Sequence, residues 1–427
     1  MKTVKNLAGL TAVSSMVLAL VSACGGGGSA SDFSSPAGSS GNPAATAGAG
    51  AYALGAITGF GSIIVNGVRY DDSKAKVFDE DGLERRSDEL KLGMTVEIRA
   101  SGPTVDPLGV ARANATEVRL SRSLTGPVTS VNVGAGSIVV FGQTVLVTTT
   151  TVYEGVAGLS AILAGQVVEV YAQPDAQGRL VATRIERKDA ASSAGASSAA
   201  LRLSGAISGL GADRLQFTLG PVTVMLNSPL AAGLANGSEV RVVARATSTP
   251  NVVTALSVQA RSSALDSNVS TAEVEGFVTA YTSSASFSVN GLAVVTTSTT
   301  KFEGTAADLK LGARVEVEGN VSAGVITATK VEIKTLEMDD KSGNGSNSGG
   351  SGGSPSSSAF EIHGAVSELN TTGMRFVLRG LTVTWDSSTV FKDGTAAQLA
   401  NGRQVEVKAV RGADSTTLKA LRISFEN

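Results

Sequence analysis

The sequence predicts an all-β chain: about five tandem small OB-like β-barrel repeats joined by flexible linkers, behind a disordered N-terminal tether. Three observations predict it. First, one pattern is written five times, opening on Gly-x-Ile/Val-Ser/Thr, passing through Leu/Ile-x-x-Gly-x-x-Val-Glu/Arg-Val/Ile and closing on Ala-x-x-Ile/Val. The openings are Gly55, Gly126, Gly205, Gly276 and Gly364, the central glycines Gly93, Gly165, Gly237, Gly312 and Gly402, and the closing alanines Ala115, Ala182, Ala255, Ala328 and Ala420. Such self-similarity marks a repeat architecture. Second, Gly, Ala, Ser, Thr and Val dominate and aromatics are only 4% of the chain, which suits many short strands and turns. Third, apolar residues alternate with polar ones between turn signals, the period of a half-buried strand.

The N-terminus reads as an export signal over residues 1–23. Lys2 and Lys5 precede an apolar stretch from Leu7 to Val21, too short for a spanning helix. It ends in Val21-Ser22-Ala23-Cys24, which resembles the lipobox of bacterial lipoproteins. The resemblance implies cleavage before Cys24, lipidation of Cys24 and attachment to a membrane through more than one acyl chain. Cys24 is the only cysteine, so the mature domains hold no disulfide. Residues 24–52, rich in Gly, Ser, Ala and Pro, are expected to form the tether. Gly25 stands after the cysteine where an Asp would favour inner-membrane retention, so by analogy with Gram-negative sorting the outer membrane is the expected location.

The repeats follow at 53–121, 122–189, 201–262, 272–335 and 360–427, with linkers at 190–200, 263–271 and 336–359. Repeat four is the clearest. Glu273 to Thr279 alternates as a strand, and Phe287-Ser288-Val289 and Leu292 to Val295 flank Asn290-Gly291. Asn-Gly between alternating runs signals a tight hairpin, because both central turn residues want positive φ. Repeat one has Asn66-Gly67; Phe141-Gly142, Leu219-Gly220 and Arg379-Gly380 are the less ideal versions. A short segment around Phe302 follows, then Ala306 to Gly312 as one helical turn stopped by glycine, then strands over Arg314–Glu318 and Val325–Ile333. Five strands with a short helix between the third and fourth is the order of an OB-like, partly open barrel. A small β-sandwich or β-roll is the alternative. Each copy, at roughly 65–70 residues, would bury only about 60% of its unfolded surface and is marginal alone. Ser121-Arg122-Ser123 joins copies one and two so tightly that rigid docking is expected there.

Through the glycine openings, the Leu-x-x-Gly-x-x-Val-Glu-Val segment and the alanine close, the set resembles a bacterial family described as domain of unknown function 5666. Copy three fits least well, carrying Arg241 at the glutamate position. The resemblance implies an exported or lipid-anchored protein and brings no established activity.

The candidate ligand-facing residues are the repeated glutamates Glu97, Glu169, Glu316 and Glu406, together with Tyr153. In Val-Glu-Val the valines face one side and the glutamate the other, so a solvated outer face is the plainer expectation. Phe78, Phe302, Phe391 and Trp385 are expected in cores, with Tyr153 the ring best able to reach water. No catalytic residue is assigned. One carboxylate per copy makes no glycosidase pair, and His363, the single histidine, has no cysteine or second histidine with which to build a zinc site. Gly349 to Gly353 matches a nucleophile elbow only literally, without a strand before it or a helix after it. Asp340 to Gly345 starts like a calcium loop but has Ser351 at the twelfth position, and the acidic loop Asp79 to Glu84 reads as a solvated turn. Gly59-Phe60-Gly61 lacks the third glycine of a dinucleotide fingerprint. No metal and no cofactor is expected. A net charge of −2 excludes the electrostatic footprint of a nucleic-acid binder.

The function expected from sequence is a non-enzymatic, lipid-anchored envelope scaffold or binding array making weak repeated contacts with an envelope polysaccharide or protein. A glycan-binding protein using the OB-like face is the alternative, and a cell-wall hydrolase the remote one.

Overall fold

The computed structural model describes residues 50–107, 110–121, 124–188, 201–261, 265–334, 360–412 and 417–426. The signal segment, Cys24, the linkers at 190–200 and 336–359, and the Asp340 and Gly349 motifs lie outside the described residues.

Each repeat is a closed five-stranded barrel of one topology. In repeat four the strands are Val269–Ser283, Ser286–Val289, Leu292–Val295, Arg314–Ser322 and Val325–Lys334. The first three pair antiparallel in sequence, the third runs parallel to the fifth, and the fourth pairs antiparallel with both the fifth and the first. The strand order is therefore 1-2-3-5-4 and back to 1, the closed order of an OB-type barrel. Repeats one, two and five pair identically. Repeat three closes its first-to-second strand joint with a single bridge, Ser208 to Thr218. Inward valines such as Val315, Val317 and Val294 are fully buried, so alternation becomes a core inside each barrel.

The repeat pattern now has physical reasons. The five central glycines sit at φ of 79, 86, 88, 83 and 87°, in the left-handed region that glycine enters without penalty. They follow a single 3₁₀ turn in four repeats, Ser87–Glu89, Leu159–Ala161, Ala306–Asp308 and Ala396–Gln398, rather than a longer helix. The closing alanines all lie at a β-bulge where the fifth strand passes the fourth, opposite Ala100, Ala172, Ala244, Gly319 and Ala409. A bulge bends the strand and raises its twist. That bend lets the fifth strand leave the fourth and reach the third, and only small residues fit where the two cross.

The opening glycine has a partner in the hairpin. Asn66 and Asn290 turn at φ 52 and 48°, and their amides donate to the carbonyls of Leu54 and Glu275, each at 3.1 Å. A Cβ on Gly55 or Gly276 would overlap that asparagine. Where Phe141 or Arg379 replaces the asparagine, the space over Gly126 or Gly364 is open to ordinary contact.

Residues 46–427 form one compact unit, so the barrels are not separate beads on a string. The first strand of barrel 1, Gly50–Phe60, takes in three residues that the sequence assigns to the tether. It runs parallel to the first strand of barrel 4, from Gly50 beside Val269 to Leu54 beside Val274. Farther along, Gly59 and Phe60 pair with Glu361 and Ile362 of barrel 5. Barrels 2 and 3 join through Leu124 and Thr125 against Leu203 and Arg202. Within the expected 263–271 linker, Leu265 is buried and the first strand of barrel 4 begins at Val269. Barrels 1 and 2 are in contact, with Lys91 Nζ 2.6 Å from Glu154 and Arg184 donating to the Leu92 carbonyl.

Candidate functional site

The repeated glutamates project outward from the fourth strand, yet they do not form a solvated face. Glu169 is 5% exposed, accepts a hydrogen bond from the Tyr171 hydroxyl at 2.8 Å and pairs with Lys188 at 3.0 Å. Glu316 is 6% exposed and pairs with Lys334 at 2.8 Å. Glu406, partly buried, lies 3.4 Å from Arg422. In these three barrels the charged partner comes from the fifth strand of the same barrel or, for Lys188, from the residue just after it. Alternation put the glutamate outside, and packing of one barrel on the next took away the water.

Barrels 1 and 3 use the same positions to meet each other. Glu97 pairs with Arg261 at 2.6 Å, and Arg241, in the glutamate position of barrel 3, pairs with Asp81 of barrel 1 at 2.9 Å. Arg202 adds a second contact to Asp81 at 3.2 Å. Burial works against the charge of Arg261, and Glu97 beside it more than offsets this, so its pKa is raised. Between the two barrels lies a cleft of about 310 Å³, lined by Tyr52, Arg99, Glu117 and Arg119 together with these pairs. Burial, then the neighbouring Glu97, holds the Tyr52 phenol well above its ordinary value. Arg99 is engaged by Asp266 at 2.9 Å and Arg119 by Glu117 at 2.8 Å. The cleft is thus built of opposite charges already matched to one another.

The acidic loop is part of that seam rather than a solvated turn. Asp79 is 2% exposed. Its Oδ1 accepts the amides of Asp81 and Leu83, each at 2.9 Å, and its Oδ2 accepts Arg85 at 2.7 Å. Burial opposes its charge, but these donors outweigh it and lower its pKa. Asp81 is thereby aimed at Arg241. The sequence signal was available: an arginine replaces the repeated glutamate in the one copy that faces an acidic hairpin.

Tyr153 is 5% exposed, inside the core of barrel 2, with Arg411 of barrel 5 over its ring at 5.6 Å. It does not stand in water as the sequence suggested. Trp385 is buried 5.7 Å from Phe376 in the core of barrel 5, and Phe391 stacks on Phe425 against that core. Phe78 lies beneath Arg119 at 5.3 Å, and Phe302 packs against the core of barrel 4. Trp385 is thus a core residue as expected, while Phe78, Phe302 and Phe391 are half-buried at the edges of their barrels. Midway along the second and third strands the outward positions are small, with Thr218 and Thr223 in barrel 3, Ser288 and Ala293 in barrel 4, and Val377 and Thr382 in barrel 5, while Gln216, Met225 and Arg375 stand exposed at strand ends.

Sequence reasoning missed two clusters. At the joint of barrels 1 and 5, His363 meets Glu426 at 2.5 Å and Glu361 at 3.1 Å, and Glu361 also binds Arg69 of barrel 1 and Lys408. Burial lowers the pKa of His363, but the two carboxylates outweigh it and raise it. Burial likewise raises Glu361, and His363, Lys408 and Arg69 overcome this to bring it to about 2. The ligand-type atoms of Glu361, His363 and Glu406 lie within 4.8 Å of one another, as do those of Glu273, Glu316 and Glu318. No pattern marks either cluster, because each is assembled by strand pairing.

Residues 125–186, 275–332 and 363–424 match the family model described as "Domain of unknown function (DUF5666)". These are barrels 2, 4 and 5, and they share a detail the other two lack. Thr151, Thr300 and Thr389, just before the short strand, donate to the carbonyl of the closing alanine at 2.7, 2.6 and 2.8 Å. Barrel 1 has Ala75 at that point and barrel 3 has no such strand. No curated protein matches the chain. A solved Drosophila structure, Unr CSD456, is similar over 52% of this chain and 96% of its own at 11% identity, with a TM-score of 0.13. At that TM-score the likeness carries no weight for function.

Proposed function

From a chain that carries tandem copies of the domain of unknown function 5666 family, we propose a lipid-anchored, non-catalytic scaffold of the cell envelope, held by acyl chains on Cys24 and offering the outer faces of packed barrels to an envelope polymer or protein. The observation that carries this reading is the use made of the charges at the repeated glutamate position and in the acidic loop. Glu97, Arg241 and Asp81, which a binding or catalytic site would turn toward a ligand, are instead paired across a barrel seam. A scaffold needs such seams, since one barrel of this size is marginal alone. The signal segment and the lone Cys24 support the anchor, and Gly25 supports the outer membrane.

The anchor is tested by labelling cells with radioactive palmitate. The chain is expected to take up label and sediment with membranes, and Cys24→Ser to do neither. A chain that stays in membranes without Cys24 contradicts the anchor. Contact with the envelope is tested by co-sedimenting the purified soluble chain with cell-wall sacculi, and the scaffold reading expects salt-sensitive retention.

Glycan recognition is the second reading. One observation favours it: Tyr281, beside the open hairpin of barrel 4, is 37% exposed. Binding to envelope oligosaccharides that Tyr281→Ala abolishes would select it over the scaffold.

A further inference from the structure

The fifth strand of barrel 3 keeps an open edge that every other barrel covers. Past the closing alanine a fifth strand has parted from the third, and in four barrels a three-residue strand fills the gap: Lys76–Phe78, Val152–Glu154, Lys301–Glu303 and Val390–Lys392. Each runs parallel to the fifth strand, its middle residue level with Val118, Ile185, Val331 or Ile423. Those middle residues are Val77, Tyr153, Phe302 and Phe391, and the four they cover are 0% exposed. In barrel 3 the corresponding residue is Val258, three past Ala255. Its strand, Val252–Ala260, pairs with the third strand only as far as Thr254, and with the fourth from Val253 to Ala260. Among the described residues no strand lies on the other side of Ser257–Gln259.

The gap is built into the chain. The connector from the third strand to the central glycine, 226–236, is five residues shorter than its counterpart 296–311 in barrel 4. It is also held elsewhere. Arg214, just before the second strand, donates to the carbonyls of Leu230, Ala231 and Leu234 at 2.9, 2.7 and 2.6 Å, which fastens the connector beside that strand. The open stretch is unguarded as well. Exposed edges are ordinarily blunted by charge or proline, and the covered fifth strands carry Glu117 and Arg119, Arg184 and Glu186, Lys330 and Glu332, or Arg422. Leu256-Ser257-Val258-Gln259-Ala260 has neither charge nor proline. Leu256 is 51% exposed, and Val258 is only half-buried.

We propose that this edge binds an extended peptide segment of a partner protein, which adds as a short strand parallel to the fifth and sets an aromatic or β-branched residue over Val258. In strand addition the main-chain hydrogen bonds supply affinity and the seat for a side chain supplies specificity. The four internal strands describe the occupant: three residues, bulky and apolar in the middle, with a charged residue at one end or both. Ser257 and Gln259 are neutral, so the edge accepts either sign at those ends. A second copy of the chain fits less well. Two copies of one strand joined across a two-fold axis run antiparallel, whereas the place is shaped for a parallel strand. The inference is independent of the anchor, and its failure would leave the envelope reading untouched.

The test is fluorescence polarisation of a fluorescein-labelled peptide of residues 299–305, which holds the short strand of barrel 4, titrated with the purified full chain. Saturable binding is expected, weakened about tenfold or more by Phe302→Ala in the peptide. In the chain, Leu256→Lys puts a charge on an exposed edge position and should weaken binding. Val258→Thr, which keeps the branched shape and removes apolar contact, should do the same. Hydrogen exchange of 256–260 should slow when the peptide binds, and that of Lys330–Glu332, already covered, should not. A titration flat up to about 1 mM overturns the site, as does binding that Leu256→Lys and Val258→Thr both leave unchanged. Protection of 256–260 before any peptide is added also overturns it: in a chain that sediments as a dimer the edge belongs to a second copy, and in a monomer to the chain's own linkers.

Discussion

Restoring the repeat's own glutamate in barrel 3, Arg241→Glu, should damage the protein about as much as a large core truncation. The Arg241 side chain is 6% exposed, and its partner Asp81 is 25% exposed, with Glu80 a further 3.6 Å from the guanidinium. Removing one member of a buried pair costs about 3–5 kcal/mol, because the other charge is left uncompensated. Here Asp81 keeps Arg202 at 3.2 Å, which limits simple loss of the arginine. Arg241→Met should therefore fall below that range, at about 1–3 kcal/mol. Arg241→Glu adds a third carboxylate beside Glu80 and Asp81 and should reach about 3 kcal/mol or more. Adding Asp81→Lys should recover at least about 1 kcal/mol as coupling energy. A chain of several barrels need not unfold in one step, so the assay is hydrogen exchange followed by peptide, reading Glu239–Ala246 and the hairpin around Asp81. Exchange in both segments should rise together in Arg241→Glu. Wild-type protection in both, or no recovery in the double variant, would refute the seam.

Three further outcomes follow from the geometry. Because the pKa of His363 is raised in the fold, its contribution is fully present below its unfolded value and lost as pH rises through the folded one. His363→Gln should accordingly cost stability at pH 6 and little at pH 9 in thermal unfolding, whereas Glu361, held near 2, keeps contributing until pH falls toward that value. Gly276→Ala should lower the melting temperature of barrel 4 by forcing Cβ against Asn290, and Asn290→Gly should recover part of the loss, since φ 48° suits glycine. Thr389→Val removes the buried hydroxyl that serves the Ala420 carbonyl and should cost about 1–3 kcal/mol in denaturant titration; a neutral result would remove that bond from the account.

What the sequence made legible was everything set by neighbours along the chain. Asn-Gly at 66–67 and 290–291 announced hairpins because positive φ is a local demand. The valines of Val-Glu-Val announced which side faced the core. The central glycines marked a turn, although the turn is 3₁₀ and the reason is their own backbone angle. The alanine close was visible as a pattern, but its cause, a bulge opposite a second small residue, needs two strands and so could not be read from one. The site suffered more from this limit. Glu169 and Glu316 read as solvated because the sequence does not say that another barrel covers them. Tyr153 read as reaching water for the same reason. Asp81 and Arg241 are far apart in sequence, and only their matching departures from the repeat hinted that they meet.

Small-angle scattering from residues 46–427 tests most directly whether the barrels pack as one body. A compact unit of that length has a radius of gyration of about 21 Å. Packed barrels predict a value within a few ångström of this, unchanged between low and moderate salt. Barrels tumbling separately on linkers would give a value well above this, toward the roughly 70 Å of an unfolded chain of that length, and that result would contradict the account.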